Sequence, residues 1–316
     1  MKKASDILEV RESILYNKNV DKDIKIASVG DIHISKTVGE RDINNICESL
    51  ANEKPDYVCL LGDLIDSPKE LIKGNSLDNL ENLIKYCSSI APTMIVLGNH
   101  DYICNDSIIV PDLSDESNIW GYINKLSNVY VLNDEVYSDN KIVIGGYIQK
   151  EDVYNNRYDK HTEDAIAFYI DLMQHPNLHS ELRKDLPRVF LAHSPGSIHD
   201  NRIKSLLSVY DVIITGHYHN GCVPAMLEDI LPKNTGIITS KLELFPKYAR
   251  GVVKLDTGTY LVYSGGWVKL SASSPLLFHP LDKLCNRQID ITTLTSDEEY
   301  KKESIKTKKL ILKKWS

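Results

Sequence analysis

Asp31 and His33, Asp63 and Asp66, Asn99 and His100, His193, and the pair His217 and His219 are the residues of this chain best equipped for chemistry. They sit in Gly30-Asp31-Ile32-His33, Gly62-Asp63-Leu64-Ile65-Asp66, Gly98-Asn99-His100-Asp101, His193-Ser194-Pro195 and Gly216-His217-Tyr218-His219. Carboxylates, an amide and imidazoles are hard or borderline ligands, and with no thiolate among them they favour Mn, Fe or Zn. The donors outnumber the needs of one ion, which points to two divalent metals sharing a bridging carboxylate. Such a centre generates hydroxide at neutral pH and clamps a phosphoryl group for in-line displacement. Taken singly, each residue has a plainer use as a helix N-cap or a turn residue. The set carries the metal reading.

These groups need a rigid mount, and each block follows a short apolar run: IKIASVG (24–30), YVCLLG (57–62), TMIVLG (93–98), RVFLA (188–192) and DVIITG (211–216). VYVL (129–132) and KIVIGG (141–146) are two more. Their length and β-branched content predict buried strands. Segments 40–54, 76–90 and 161–175 carry helical spacing between them, which argues an α/β protein with a parallel or mixed sheet. In such sheets ligands bind outside the C-terminal strand ends, where the polar blocks fall. Four of the blocks open with Gly, which lets the backbone bend sharply. From about residue 236 the texture changes to short strands joined by Gly turns, and residues 236–296 are expected to complete a second sheet from antiparallel strands.

The chain of 316 residues carries a net charge of -7, against general nucleic-acid binding, which needs a basic face. Six scattered cysteines without CxxC spacing read as buried thiols rather than disulfides or a Cys-based metal site. The sequence MKKASDILEVRES has no apolar core of a secretory signal, and no run of 18 apolar residues occurs, so the expectation is a cytoplasmic protein with no transmembrane segment. Residues 1–300 are expected to form one domain. The last 16 residues, 301–316, hold seven lysines and read as a solvated Lys-rich tail or helix, with weak contact to an anionic membrane surface as the alternative. The polar stretches 102–127 and 149–161 are loop or lid candidates. Arg157 and Lys160 there are either exposed loop residues or contacts for an anionic substrate. Of the histidines outside the blocks, His199 lies nearest the expected cleft in sequence.

The ordered pattern DIH (31–33), GDLID (62–66), GNHD (98–101), His193 in LAHSP and GHYH (216–219) resembles the calcineurin-like metallophosphoesterases. Compact block spacing, LEVRESILY and FPKYARGVVKL (245–255) resemble the bacterial single-domain branch of that superfamily; GHYHNGC departs from the GHTHGGQ common there. The resemblance implies a four-layer αββα sandwich, with two mixed β-sheets flanked by helices and the metal site at the C-terminal strand ends. It also implies Asp31, His33 and His219 on one metal, Asn99, His193 and His217 on the other, and Asp63 bridging. His100 would be the general acid for the leaving oxygen, oriented by Asp66, while a metal-bridging hydroxide attacks phosphorus. Asp101 would anchor its turn. The substrate would be a small-molecule or lipid-linked phosphomonoester or phosphodiester. Ser67 and Pro68 after the second Asp of the GD block depart from the serine/threonine protein phosphatases, which carry Arg there. A non-catalytic scaffold of the same fold that binds a protein partner is the alternative. Such scaffolds typically lose the GNH histidine or a ligand, and none is missing here.

Overall fold

The computed structural model describes residues 4–72, 75–104, 107–108, 111–150, 152–155, 161–179, 182–239, 243–267, 282–301 and 304–312. Its first half runs β1 (Ile7–Tyr16), β2 (Ile24–Val29), α1 (Glu40–Glu53), β3 (Tyr57–Leu60), α2 (Ser76–Ile90), β4 (Thr93–Ile95), α3 (Asn99–Tyr102), the short pair β5 (Ile103–Cys104) and β6 (Ser107–Ile108), α4 (Ile119–Asn124) and β7 (Val129–Val131). There follow β8 (Glu135–Ser138), β9 (Val143–Tyr147), α5 (Asp152–Asn155), α6 (His161–Met173), β10 (Arg188–Ala192), α7 (Asn201–Leu207) and β11 (Val212–Thr215). The chain then adds β12 (Gly251–Lys254), β13 (Tyr260–Tyr263), β14 (Arg287–Thr295) and β15 (Ser304–Ile311).

The strands form a seven-stranded sheet, β15-β1-β14-β2-β3-β4-β7, and a six-stranded sheet, β12-β13-β11-β10-β9-β8. Strand residues alternate between two faces, so a strand buried on both sides must be apolar at every position. In β3, Val58 and Leu60 join the core under α1 and α2, while Tyr57 and Cys59 face the second sheet. In β10, Val189 and Leu191 face the first sheet, while Phe190 and Ala192 pack with Phe168 and Leu172 of α6 and Ile203 and Leu207 of α7. Three apolar layers therefore separate four layers of secondary structure, the αββα sandwich. Ile43, Ile46, Cys47 and Leu50 supply the buried stripe of α1, which ends where Lys54 turns left-handed (φ 49).

β2, β3 and β4 run parallel in one sheet, and β10 and β11 run parallel in the other, so five polar blocks leave adjacent strand ends. This register decides the function, because it converts sequence-distant blocks into neighbours.

Two expectations need correction. β12 and β13 do join the second sheet, but β14 enters the first, parallel to β1 and antiparallel to β2. Its Ile289 and Ile291 fill the core under α1 and α2, and its Asp290 meets Arg11 of β1 at 2.8 Å in the interior. Nor is the Lys-rich end a tail or helix where it is described. β15 pairs antiparallel with β1 and leaves most of its side chains in solvent. Lysines on an edge strand keep that edge from pairing with another chain, and Lys308 and Lys309 also lie near Glu53, Glu9 and Glu228. Residues 313–316 fall outside the described residues.

Of the lid candidates, 118–124 packs rather than hangs free. Asn118 caps α4 by accepting from Trp120 N, and Trp120 is buried in the core. Arg157 and Lys160 lie outside the described residues. Cys47, Cys59 and Cys87 are buried free thiols, and Cys222 and Cys285 are buried as well. Among the described residues, no helix is long and apolar enough to cross a membrane.

Candidate metal centre

Backbone geometry marks the site before any side chain is considered. Asp31 (φ 50), His33 (φ 53), Asp63 (φ 49), His217 (φ 67) and His219 (φ 48) all adopt the left-handed region. Side-chain-bearing residues avoid that region, and a cluster of them persists only where the surroundings over-determine it. Main-chain bonds do so here. Asp31 N donates to Gly62 O at 3.0 Å, and Ile32 N and His33 N both donate to Asp63 O, at 2.9 and 3.0 Å. Gly62 (φ 82) and Gly98 touch back to back. A Cβ on Gly62 would stand 2.4 Å from Gly98 N, and one on Gly98 would stand 2.3 Å from Asp63 Oδ1. Only glycine lets the Asp63 and Asn99 turns approach this closely.

The side chains then converge in three sets, one of which, His33, Asp66 and His100, joins the candidate acid to the other two. Asp31, His33 and His219 bring one ligand atom each to within 4.8 Å of one another, as do Asp63, His193 and His217. Asp63 stands between them, its Oδ2 3.1 Å from His193 Nε2 and 3.9 Å from His33 Nε2. All six are buried. His193 Nδ1 donates to Leu61 O at 2.6 Å, which leaves Nε2 as the ligand atom. His217 Nδ1 lies 3.1 Å from that same Nε2. Asn99 Oδ1 is buried without a hydrogen-bond partner. Two nitrogen donors aimed at one point and an orphaned amide oxygen fit divalent metal ions bound among these residues.

Electrostatics agree with a site built for positive charge. Burial opposes ionisation of Asp63, yet the nearby His193, His100 and His33 hold it well below the usual carboxylate range. Burial likewise opposes charge on His193, but Asp63 and Asp31 push its imidazole up to about 9. Protons here stand where cations belong.

Asp101 ties the blocks together. Its Oδ1 accepts from Leu64 N (2.8 Å) and Ile65 N (3.1 Å), and its Oδ2 accepts from Gly98 N (2.8 Å). Burial and the neighbouring Asp63 push its carboxyl up to about 7 against these donors. His100 is half-buried, and its main-chain N donates to Asp63 Oδ1 at 2.8 Å. The ring is fixed by Nδ1 donating to the main-chain carbonyl of Asp66 at 2.7 Å. Asp66 thus holds the ring through its carbonyl, and its carboxylate lies 3.3 Å from His33 Nδ1.

Three supporting residues escaped the sequence reading. Gln149 pairs through its amide with both backbone groups of Ser194, next to His193. The Tyr154 ring lies 5.3 Å from that of His217. Arg11 donates to Asp290, to Tyr263 O and to Asn220 Oδ1, the residue after His219. Each comes from a segment far from the blocks, so nothing in local spacing announces it.

The family model described as calcineurin-like phosphoesterase matches residues 24–221. An uncharacterized metallophosphoesterase of Helicobacter pylori strain J99 is 28% identical over 261 residues, 82% of this chain and 58% of that protein. One from Campylobacter jejuni is 26% identical over 216 residues, 67% of this chain and 48% of that protein. The chain thus spans about half the length of these relatives. A dimetal phosphatase from Danio rerio superposes with a TM-score of 0.44 at 11% identity, over 77% of this chain and 87% of that one.

Proposed function

The chain belongs to the calcineurin-like phosphoesterase family, and we propose that its paired donor sets make it a metal-dependent hydrolase of a phosphomonoester or phosphodiester. The observation that carries this reading is the pair of buried donor sets around Asp63, with the orphaned Asn99 Oδ1 beside them. Asp31, His33 and His219 would hold one divalent ion, Asn99, His193 and His217 the other, and Asp63 both. Two bound Mn, Fe or Zn ions supply the Lewis acidity and positive charge that phosphoryl transfer requires.

The chain's own residues supply the rest. Leu61 O fixes the tautomer of His193, and the His100 main-chain N–H holds the Asp63 carboxylate in orientation. Asp66 O holds His100 Nδ1, which leaves Nε2 to deliver a proton to the leaving oxygen. The His100 ring stands edge-on to His33, with centroids 4.7 Å apart, so the acid sits against the ligand shell.

Metal content after Mn or Fe supplementation, measured with turnover of nitrophenyl mono- and bis-esters, tests the proposal. The expected result is two ions per chain and hydrolysis of at least one ester class. Less than one ion per chain with no esterase activity would refute it, and the relative rates assign the ester class.

A further inference from the structure

Beside the metal loops lies a cavity of about 560 Å³ whose wall includes Pro195, His199, Tyr218, Phe245, Lys247 and Tyr248. Pro195 is two residues past His193, and Tyr218 separates His217 from His219. The Tyr218 ring lies 6.0 Å from the His217 ring, so the cavity wall and the ligand shell share one turn of the chain. Its volume suits a small organic ligand.

The rim is unusual. Phe245 is 63% exposed and Tyr248 is 43% exposed. Both adopt left-handed backbone, at φ 51 and φ 61, which bulky side chains avoid. The segment carrying them is stitched down by its main chain, with Phe245 N donating to Ile237 O and Gly236 N donating to Pro246 O. Ile237 N and Ile238 N both donate to Gly221 O, two residues past His219. The aromatic rings are therefore held in solvent on a frame fixed to the metal loop. Tyr248 stacks on His199 at 4.5 Å and 24°, and His199 Nε2 is fixed by the Tyr263 hydroxyl at 2.7 Å. Burial and the Lys204 charge lower the pKa of His199, so the stack is built on a neutral ring.

We infer that this cavity receives the alcohol side of the substrate, and that this side is a nucleoside whose base stacks against Tyr248 and Phe245. The inference rests on the phosphoesterase reading for its placement, since the phosphate would lie at the metal donors and the base beyond Tyr218. Exposed rings on a rigid frame match a planar base. Glu243 and Lys247 on the same wall offer an acceptor and a donor to its edge. An acyl chain would need an unbroken apolar wall, which these charges interrupt.

The probes are adenosine, uridine and ribose, titrated by NMR into the Mn-supplemented protein, with inorganic phosphate titrated by calorimetry. Nucleosides should bind roughly tenfold or more tighter than ribose, and Phe245→Ala with Tyr248→Ala should abolish that margin. Both side chains are exposed, so the double variant should keep its fold and its phosphate affinity. Equal binding of nucleoside and ribose, or a margin that survives in the double variant, overturns the inference. Failure of phosphate to bind counts instead against the phosphoesterase reading, and the nucleoside margin still judges the cavity.

Discussion

Replacing His100 with alanine separates two jobs that adjacent atoms perform. Among the described residues the imidazole makes one hydrogen bond, from Nδ1 to Asp66 O, and the ring is half-buried. Its loss should destabilise the fold by only about 0.5–1.5 kcal/mol. The bond that orients Asp63 comes from the main-chain N of residue 100 and survives in alanine, which also suits the helical turn Asn99–Tyr102. Metal content should therefore hold at the wild-type level. The rate should fall by roughly 10²–10⁴, the contribution of a positioned general acid, equivalent to about 3–5 kcal/mol in the barrier. The loss should depend on the leaving group. An alkyl ester, whose departing oxygen is strongly basic, should show the full effect, whereas a nitrophenyl ester should show little. The assay compares both esters on metal-analysed wild type and His100→Ala. Equal losses on the two esters would refute general acid catalysis by His100, and loss of metal would mean that the ring belongs to the ligand shell.

Other side chains make separable predictions. Asp66→Asn keeps the carbonyl that holds His100 but alters the partner of His33. Metal affinity should fall about 10–100-fold, while kcat at saturating Mn stays near wild type, as read by metal titration. Asp101→Ala leaves three buried N–H groups without acceptors at about 1–3 kcal/mol each, a sum comparable to the stability of a whole domain. Thermal denaturation should show a severely weakened or unfolded protein, and Asp101→Asn should fall between it and wild type. Arg11→Met removes the cation paired with the buried Asp290 carboxylate, which keeps its bonds from Gly265 N and Gln288 Nε2, and should destabilise by about 3–5 kcal/mol, with Asp290→Asn in the same chain recovering part of the loss. An unchanged melting temperature in Arg11→Met would show that the interior charge is not uncompensated.

The strands that mount the site were legible because they are buried on both faces. IKIASV, YVCL, RVFLA and VIIT are apolar at nearly every position, and the polar residue that follows each stands out against them. β1 was harder, since LEVRESILY interleaves Glu9, Arg11, Glu12 and Ser13 with its apolar residues, and its partners lie near the far end of the chain. β15 reads as a tail because an edge strand needs little apolar content. In the site, the polar residues that converge could be read from the blocks at the strand ends, but hydrogen-bond partners could not. Whether His100 meets the carboxylate or the carbonyl of Asp66 depends on one turn of backbone. Arg11, Gln149 and Tyr154 reach the site only through tertiary packing.

The parallel pairing of β1 with β14 also orders events during synthesis. Arg11 and Asp290, which meet in that pairing, are 279 residues apart. At ribosomal speeds of roughly 5–20 residues per second, β1 waits about 15–55 s for its neighbour. Over that interval β2 lacks the partner that β14 will become, and the apolar residues of β1 have no sheet to join. β2, β3 and β4 can pair with one another well before then, in the order in which they emerge. The strand at the start of the chain is thus among the last to be docked.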